Sequence, residues 1–275
     1  MDTSKRARLI APPSDAQRVF AVALAVLVPA GTFIGLILVW EGAARLFSIP
    51  AYLLPAPTRI FAEMANIAPH ILPNVWATLS TVLLGFGVSI LVSIPLAVVI
   101  ASSPQVARAL YPLLLVTQST PVVAVAPILV VALGTGQASR TTVTFLIAFF
   151  PLLVSTVTGL LATPREVVDL SRAMRTSFLQ DLWLIRLPNA VPFVFSGLRV
   201  AISLSVIGAV VAEFVTANAG LGYLITQSTA FFNVPLAFGA VILLAIMGVC
   251  LFFAVVAVER LLFPWSAPAD RITRD

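Results

Sequence analysis

Few residues of this 275-residue chain could carry chemistry within its long apolar stretches. Glu213 and Arg199 each interrupt a stretch that is otherwise uncharged. If these stretches cross a bilayer, a central charge costs about 2.5–3.5 kcal/mol on insertion scales, so each side chain is expected to face protein or water. Arg199 could also extend its charged end to the lipid headgroups. Glu213 has two open readings, a gate or pathway residue and a structural hydrogen bond near the membrane interface.

Three residue types that occur once bear on the enzyme classes. The phosphate-binding loop of an ATPase needs Gly-Lys-Ser/Thr, and Lys5, the only lysine, is flanked by Ser4 and Arg6. The only histidine, His70, lies between Pro69 and Ile71 in a predicted outer loop, away from any buried nucleophile. Cys250 is the only cysteine, which leaves no disulfide or cysteine-based metal site within the chain. We therefore expect no catalytic residue, no metal site and no cofactor in this chain.

The elements that must position these residues are membrane helices. The chain is 60% hydrophobic and 10% charged, whereas an ordinary soluble domain has about 25% charged residues. A helix needs about 20 apolar residues to cross a bilayer, and the uncharged windows predict six such spans. These are Phe20–Leu46, Val75–Ala101, Leu110–Leu133, Thr141–Leu161, Val191–Val215 and Ala237–Leu262. The sequence therefore predicts an all-α membrane protein, with residues 1–18 as a tail and 19–275 as one transmembrane domain.

The distribution of basic residues predicts the orientation of these spans. The first span is expected to be retained, because its apolar core exceeds the roughly 7–15 residues of a signal peptide. With a cytoplasmic N-terminus, twelve basic residues face inside: Lys5, Arg6, Arg8, Arg18, Arg108, Arg165, Arg172, Arg175, Arg186, Arg260, Arg271 and Arg274. Only three face outside: Arg45, Arg59 and Arg140. Both termini are thus predicted to be cytoplasmic, and the net charge of +5 is explained by topology and lipid headgroups rather than by nucleic acid.

Several polar residues are candidates for a transmembrane pathway. Thr117, Gln118 and Ser119 precede Pro121 in the third span, where a proline breaks the helical hydrogen bonding. Such residues face either a water-filled cavity or a neighbouring helix. Asn218 lies in the outer loop after Glu213. Short helices are also predicted outside the spans, at Thr58–Ala68 and Tyr223–Thr229.

The stretch from Thr163 to Pro188 is the strongest local signal. Thr163-Pro164-Arg165-Glu166 is typical of a helix start with Thr163 as N-cap, and Ser177 with Gln180 repeats the pattern. Pro188 is expected to end the second helix at Leu187. The sequence thus predicts two short helices with a break around Arg175–Ser177. Helices this short are marginal alone, so they must dock on their own bundle or in a groove of a partner.

This stretch resembles the cytoplasmic "EAA" loop of ABC-transporter membrane subunits, the binding-protein-dependent import permeases. Ile185-Arg186-Leu187-Pro188 matches the Ile-x-Leu-Pro end of that pattern. Counting back places Asp169-Leu170-Ser171 at Glu-Ala-Ala and Arg175 where the family has glycine. The resemblance implies that the 163–188 loop couples to ATPase subunits. Phe178, Leu182 and Trp183 would be the inserted anchors, with Arg172 and Arg175 as charges at the rim.

Four further stretches resemble the same family, in the branch for nitrate, sulfonate, taurine and pyrimidine precursors. They are "LPAPTRIF", "TPVVAVAPILVVALGTG", "LPNAVPFVFSGLRVAIS" and "AEFVTANAGLGYLI". The resemblance implies a type I importer permease in the bacterial inner membrane that pairs with a second copy. Two ATP-binding subunits, which hold ATP and Mg²⁺, and an extracytoplasmic solute-binding protein complete the implied assembly. The substrate would be a small anion or heterocycle.

A self-sufficient secondary transporter or channel is the alternative function. It would need ion-coupling carboxylates or an inverted repeat. The sequence shows neither feature, which favours the importer subunit. A stable complex with a chain carrying Gly-Lys-Ser/Thr would distinguish the two.

Overall fold

The computed structural model describes residues 15–119, 121–216 and 218–266, and every regular element in these ranges is helical. Helices α1 to α6 are Asp15–Leu46, Pro57–Asn66, Ala68–Ser102, Pro104–Ser119, Val122–Leu133 and Gln137–Leu161. Helices α7 to α11 are Arg165–Ala173, Phe178–Asp181, Leu187–Thr216, Leu221–Ala230 and Val234–Leu262, and a π turn over Leu182–Arg186 joins α8 to α9. The predicted all-α fold is confirmed for the described ranges.

Five helical stretches are long and apolar enough to cross a bilayer, and a sixth is shorter. The five are Leu27–Leu46, Ile71–Ser102, Gln137–Leu161, Phe178–Val215 and Val234–Leu262, and the shorter one is Val122–Leu133. Each overlaps one of the six predicted spans, which confirms that prediction. Helix α1 begins at Asp15, so the last residues of the predicted tail are helical, and residues 1–14 lie outside the described ranges.

The third predicted span, Leu110–Leu133, is divided into two helices. Helix α4 ends at Ser119 and α5 begins at Val122, after Pro121 in an extended conformation. The physical reason is the proline, which has no N–H to donate and whose ring clashes with the carbonyl one turn earlier. The predicted kink is therefore a break between two helices.

Helices α3, α6 and α9 form the centre of the bundle, with α9 antiparallel to α6. Close approach depends on glycine, since a Cβ on Gly208 of α9 would lie 2.8 Å from Thr144 Cα of α6. At the other end of the pair, a Cβ on Gly159 would lie 3.2 Å from Ala190 Cα. Small residues at helix contacts are the usual means of bringing membrane helices together. Ser93 Oγ of α3 donates to a backbone carbonyl of α6 at 3.0 Å.

Both short helices predicted outside the spans are present, with shifted bounds. Helix α2 buries Ile60 and places Met64 against Gly239 of α11. Helix α10 buries Leu221 and Leu224 in a cluster with side chains of α11. Neither helix is a free surface element, because each packs an apolar face against the bundle.

Arg199 of α9 is paired within the protein. Its Nη2 lies 3.5 Å from Oε2 of Glu259 on α11, and its Nε donates to the carbonyl of Phe195 at 3.2 Å. Glu259 is 2% exposed and also accepts from the hydroxyl of Ser266 at 3.1 Å. This pair ties the start of α9 to the end of α11, so the headgroup-facing position considered for Arg199 is not needed to explain its charge.

Candidate functional site

Residues 163–188, named here the 163–188 segment, connect α6 to α9 through helices α7 and α8. Helix α7 begins after Pro164, whose extended backbone (φ −55°, ψ 139°) makes it the N-cap. The predicted cap at Thr163 is wrong, because the proline delays the helix start by one residue. The hydroxyl of Thr163 donates instead to the carbonyl of Leu160 in α6 at 3.5 Å. Glu166 lies in the first turn, where its charge complements the helix dipole.

A tight turn at Arg175 separates the two helices where the sequence predicts a break. The N–H of Arg175 donates to Arg172 O at 3.0 Å, and the N–H of Thr176 donates to Ser171 O at 3.3 Å. This pair of bonds defines a Schellman turn, whose left-handed position usually holds glycine. Arg175 occupies it with φ 54°. The left-handed conformation costs a non-glycine residue roughly 1–2 kcal/mol, so this chain keeps the glycine geometry without the glycine.

Helix α8 begins with the predicted capping box. Ser177 Oγ accepts from the N–H of Gln180 at 3.3 Å, and the side chain of Gln180 accepts from the N–H of Ser177 at 2.9 Å. The predicted helix end at Leu187 is wrong, since Leu187 has helical dihedrals (φ −63°, ψ −48°) and α9 continues from it. The π turn allows this, because Leu187 N–H bonds to Leu182 O and Pro188 then falls in a new first turn, where its missing N–H is harmless.

A polar network fixes α7 and α8 relative to each other. Ser171 Oγ, on a residue that is 3% exposed, donates to Asp181 Oδ1 at 2.9 Å. The other oxygen of Asp181 accepts from Nε of Arg186 at 2.6 Å. The hydroxyl of Thr176 donates to the carbonyl of Ser171 at 3.1 Å. The segment therefore has a defined shape of its own, with charge-assisted bonds that are stronger than neutral ones.

The 163–188 segment has an exposed apolar patch beside its exposed charges. Six large side chains are between 52% and 74% exposed: Leu170, Met174, Phe178, Leu179, Trp183 and Leu184. The polar side chains of Ser171 and Asp181 are used inside the segment, whereas these six apolar side chains face outward. Aromatic side chains on such a patch are the residue types that dominate binding energy at protein interfaces.

The remaining predicted coupling residues divide into an inner and an outer group. Leu182 is buried at 7% exposure in a cluster with side chains of α3 and α6, and Leu187 packs against the same cluster. Leu182 is therefore buried in its own bundle, whereas the sequence predicted an anchor that inserts into a partner. The π turn is the reason, because it directs this side chain inward. Ile185 is half-buried, and Pro188 is exposed. Asp169 and Arg172 form an exposed ion pair at 3.5 Å.

Glu213 lies at the opposite end of α9, in what we name the Glu213 cluster: Asn74, Thr78, Glu213 and residues 220–222. Glu213 is 1% exposed, and its Oε2 accepts from the N–H of Gly222 at 2.7 Å and from the hydroxyl of Thr78 at 3.1 Å. Thr78 Oγ1 also accepts from the N–H of Leu221 at 2.8 Å. The amide oxygen of Asn74 accepts from the N–H of Gly220 at 2.8 Å. Three successive backbone N–H groups at the start of α10 are therefore held by α3 and α9.

Two glycines allow this arrangement. Gly220 has φ 128°, and a Cβ there would lie 2.3 Å from the carboxyl carbon of Glu213. At Gly222 a Cβ would lie 2.9 Å from Glu213 Oε2. No larger residue could bring its backbone this close to the carboxylate. The other carboxylate oxygen, Oε1, is buried and has no hydrogen-bond partner among the described residues.

The other predicted pathway residues are not part of the Glu213 cluster. Asn218 is exposed in the loop before α10, and the neighbouring carbonyl of Ala219 accepts from Arg140 Nη1 of α6 at 3.4 Å. The remaining three, Thr117, Gln118 and Ser119, are the last residues of α4. Sequence reasoning did not find Asn74 and Thr78, although their spacing of four residues on an apolar helix is a usable signal. Within the described ranges, no group of three or more His, Cys, Asp or Glu could hold a metal ion.

The fold and these two sites define a multi-spanning membrane subunit, and comparison with known proteins gives the family. Residues 90–266 match the family model described as "Binding-protein-dependent transport system inner membrane component". The chain belongs to this family and is a permease subunit of an ABC importer. It is accordingly a multi-pass protein of the inner membrane.

Individual relatives agree with the family. The chain is 35% identical to the formylaminopyrimidine transport permease protein ThiX of Halalkalibacterium halodurans, over 87% of this chain and 96% of the relative. It is 34% identical to the riboflavin transport system permease protein RibX of Chloroflexus aurantiacus, over 86% and 89% of the two chains. It is 26% identical to the taurine transport system permease protein TauC of Escherichia coli, over 86% and 88%.

A solved structure supports the fold. A chain of the inward-facing MetNI methionine ABC transporter matches with a TM-score of 0.64 at 20% identity. The match covers 72% of this chain and 98% of that chain. The predicted type I importer fold is therefore confirmed.

Proposed function

We propose that the 163–188 segment is the surface through which separate ATP-binding subunits drive this permease. The observation that carries the proposal is the apolar patch on a segment whose backbone is already fixed by its own polar network. Phe178 and Trp183 would insert into a groove on the ATP-binding subunit, with Asp169, Arg172 and Arg175 at the rim. Leu182, Ile185, Leu187 and the network around Ser171 would hold the segment on its bundle.

The proposed orientation places the 163–188 segment and both termini in the cytoplasm. Twelve basic residues against three support it, and the excess of arginine in this segment agrees with the positive-inside rule. The Glu213 cluster, at the other end of α9, then lies on the outer side. Residues 1–18 would form the cytoplasmic tail, and residues 19–275 would form one permease domain.

The importer family implies ATP-hydrolysing and substrate-binding partners and a dimeric pathway. We propose a specific assembly of two copies of this chain, two ATP-binding subunits and one extracytoplasmic solute-binding protein. ATP and Mg²⁺ would be bound by the ATP-binding subunits alone. The exposed apolar length of α1 supports contact with lipid or a second copy, since side chains such as Phe33 and Val39 are about 70% exposed.

A small heterocycle is the proposed substrate class, with a small anion as the second candidate. Support comes from the two relatives at 35% and 34% identity, whose names give a formylaminopyrimidine and riboflavin, against 26% for the taurine permease. Thr117, Gln118, Ser119 and Asn218 remain proposed pathway residues. Discrimination between substrates would rest largely with the binding protein.

Replacement of the two exposed aromatic anchors tests the coupling proposal. Removing a central aromatic from an interface commonly costs 2 kcal/mol or more, which is roughly thirtyfold in affinity. Phe178→Asp with Trp183→Asp should therefore abolish co-purification of the ATP-binding subunits with a tagged permease. Phe231→Asp is the matched control, because Phe231 is 77% exposed at the opposite end of the bundle.

The control variant should keep its ATP-binding subunits, and both variants should insert in the membrane at wild-type levels. Co-purification that survives the double substitution would overturn the docking assignment. Solute uptake by the chain in proteoliposomes without any ATP-binding subunit would point to a self-sufficient transporter instead.

A further inference from the structure

We infer that Glu213 is a positioning residue, a latch that holds α10 to the end of α9 so that movement of the 163–188 segment reaches the opposite end of the bundle. The inference rests on the proposed function, because the driving movement is the one that ATP-binding subunits would impose. It assigns Glu213 a role in transmission rather than contact with the solute.

The helix between the 163–188 segment and the Glu213 cluster is continuous. Residues Phe178–Val215 form one uninterrupted helical stretch of 38 residues, with the π turn as its only irregular part. At 1.5 Å per residue this stretch is about 57 Å long. Trp183 is exposed near one end, and Glu213 is buried near the other. A displacement applied to α8 therefore acts on the same continuous helix that carries the Glu213 carboxylate.

Helix α10 is held at its start by side chains of other helices. Its first N–H groups have side-chain acceptors on other helices, Asn74 and Thr78 on α3 and Glu213 on α9. These groups have no acceptor within their own helix, because the first turn of any helix leaves its N–H groups unpaired. Removal of the Glu213 acceptor would leave Gly222 N–H without its side-chain acceptor and leave the hydroxyl of Thr78 with only the carbonyl of Asn74, at 3.3 Å.

Helix α10 is packed against α11. Leu221 and Leu224 of α10 pack with Leu236, Ala240 and Met247 of α11. Helix α10 thus lies between the end of α9 and the start of α11. Because packed cores respond as units rather than deforming gradually, a shift of α10 would be passed to α11.

The contact between Glu213 and α10 can also open. Glu213 Oε1 is buried without a hydrogen-bond partner among the described residues, so the closed arrangement leaves one polar atom unsatisfied. Opening would return that oxygen to water. Hydration of that oxygen would offset part of the cost of breaking the hydrogen bonds of the latch.

A labelling experiment on the intact complex tests the latch without knowledge of the substrate. The permease carries Cys250→Ala and Gln227→Cys, an exposed reporter on α10, and is purified with its ATP-binding subunits in lipid nanodiscs. The alkylation rate of the reporter by a water-soluble maleimide is measured with and without ATP, Mg²⁺ and vanadate. We expect trapping to change this rate at least threefold. With Glu213→Leu, which has no acceptor for Gly222 N–H or Thr78 Oγ1, the change should fall below 1.5-fold, while ATP hydrolysis by the complex continues.

Glu259→Leu is the matched control, because Glu259 is the other buried carboxylate among the described residues, at 2% exposure, and lies at the far end of α11. Its complex should retain the threefold change, so a merely structural loss would not imitate the result. Gly222→Ala, which crowds the carboxylate from the other side, serves as the second variant and should also abolish the change. A response that persists in both latch variants, or a wild-type complex with no response, overturns the latch. A wild-type permease that binds no ATP-binding subunit would instead overturn the proposed function.

Discussion

The two ends of α9 use polar and apolar side chains in opposite ways. In the Glu213 cluster, polar side chains are buried and directed at the backbone of α10, and no residue larger than glycine fits beside the carboxylate. In the 163–188 segment, polar side chains fix the turn between α7 and α8, while Phe178, Leu179 and Trp183 face outward. One end therefore directs its polar groups inward, and the other presents an exposed apolar surface.

This difference indicates where each end tolerates change. Buried polar groups are costly when one partner is removed, because the remaining group loses both its bond and its water. Exposed apolar side chains cost the isolated chain little when they are replaced, and their loss is felt only on binding. Substitutions at the Glu213 cluster should thus act within this chain, on its folding when they are large and on the latch when they are small. Substitutions on the apolar patch should act on assembly.

Gly220→Val, in the Glu213 cluster, should have the largest effect. A Cβ at Gly220 would overlap the carboxyl group of Glu213, and φ 128° is closed to a β-branched residue. We expect a cost above about 4 kcal/mol, which is large enough to remove the folded permease. The monodisperse fraction on size-exclusion chromatography measures this. Gly248→Val in α11 is the control, because a Cβ there would meet nothing within 4 Å beyond its chain neighbours and the backbone of its own helix.

A normal yield of Gly220→Val would contradict the geometry of the Glu213 cluster. A loss of both variants would show only that the apolar helices do not accept valine. Loss of the folded permease with Gly220→Val alone would support a Glu213 cluster that admits only glycine at this position.

Asp181→Ala, in the 163–188 segment, should have an intermediate effect. The substitution leaves Ser171 and Arg186 without their carboxylate, at a cost of about 1–3 kcal/mol. Tryptic cleavage within the 163–188 segment of the permease alone should accelerate about tenfold, since cleavage follows local opening. Asp169→Ala removes only an exposed ion pair, worth about 0–1 kcal/mol, and should change the rate less than threefold.

Equal rates for the two aspartate variants would mean that the network around Asp181 does not hold α7 and α8 together. The segment would then be ordered only by its partner. In that case the 163–188 segment would not be pre-shaped for docking.

Local patterns in the sequence predicted most of the helical framework. Long uncharged windows located the spans because lipid forces every backbone group into a helix, whatever the tertiary packing. The capping box at Ser177 and the break at Arg175 were also predictable, since caps and turns depend on neighbouring residues. The order of these features along the chain was enough to reveal the family.

The features that the sequence did not predict depend on contacts between distant residues. Pro188 was expected to end a helix, and only the π turn before it allows α9 to continue. Leu182 resembled its exposed neighbours in type, but the same turn directs it inward. The partner of Glu213 on α3, Thr78, is 135 residues away in sequence, so no local pattern could connect the two.

Arg175→Gly should have the smallest effect, and its sign is opposite to that of most substitutions. Glycine adopts φ 54° without strain, so relief of the left-handed conformation should stabilise the turn by roughly 1 kcal/mol, less the extra chain entropy of glycine. Hydrogen exchange at the amide of Thr176, which closes the turn onto Ser171, should slow by about threefold to fivefold in the isolated permease. Arg172→Gly is the matched control three residues earlier, where glycine weakens α7 by about 1 kcal/mol and should speed the same exchange. If both variants speed the exchange, the turn is not left-handed at Arg175. If Arg175→Gly slows the exchange yet weakens binding of the ATP-binding subunits, the arginine is kept for its charge at the interface and not for the turn.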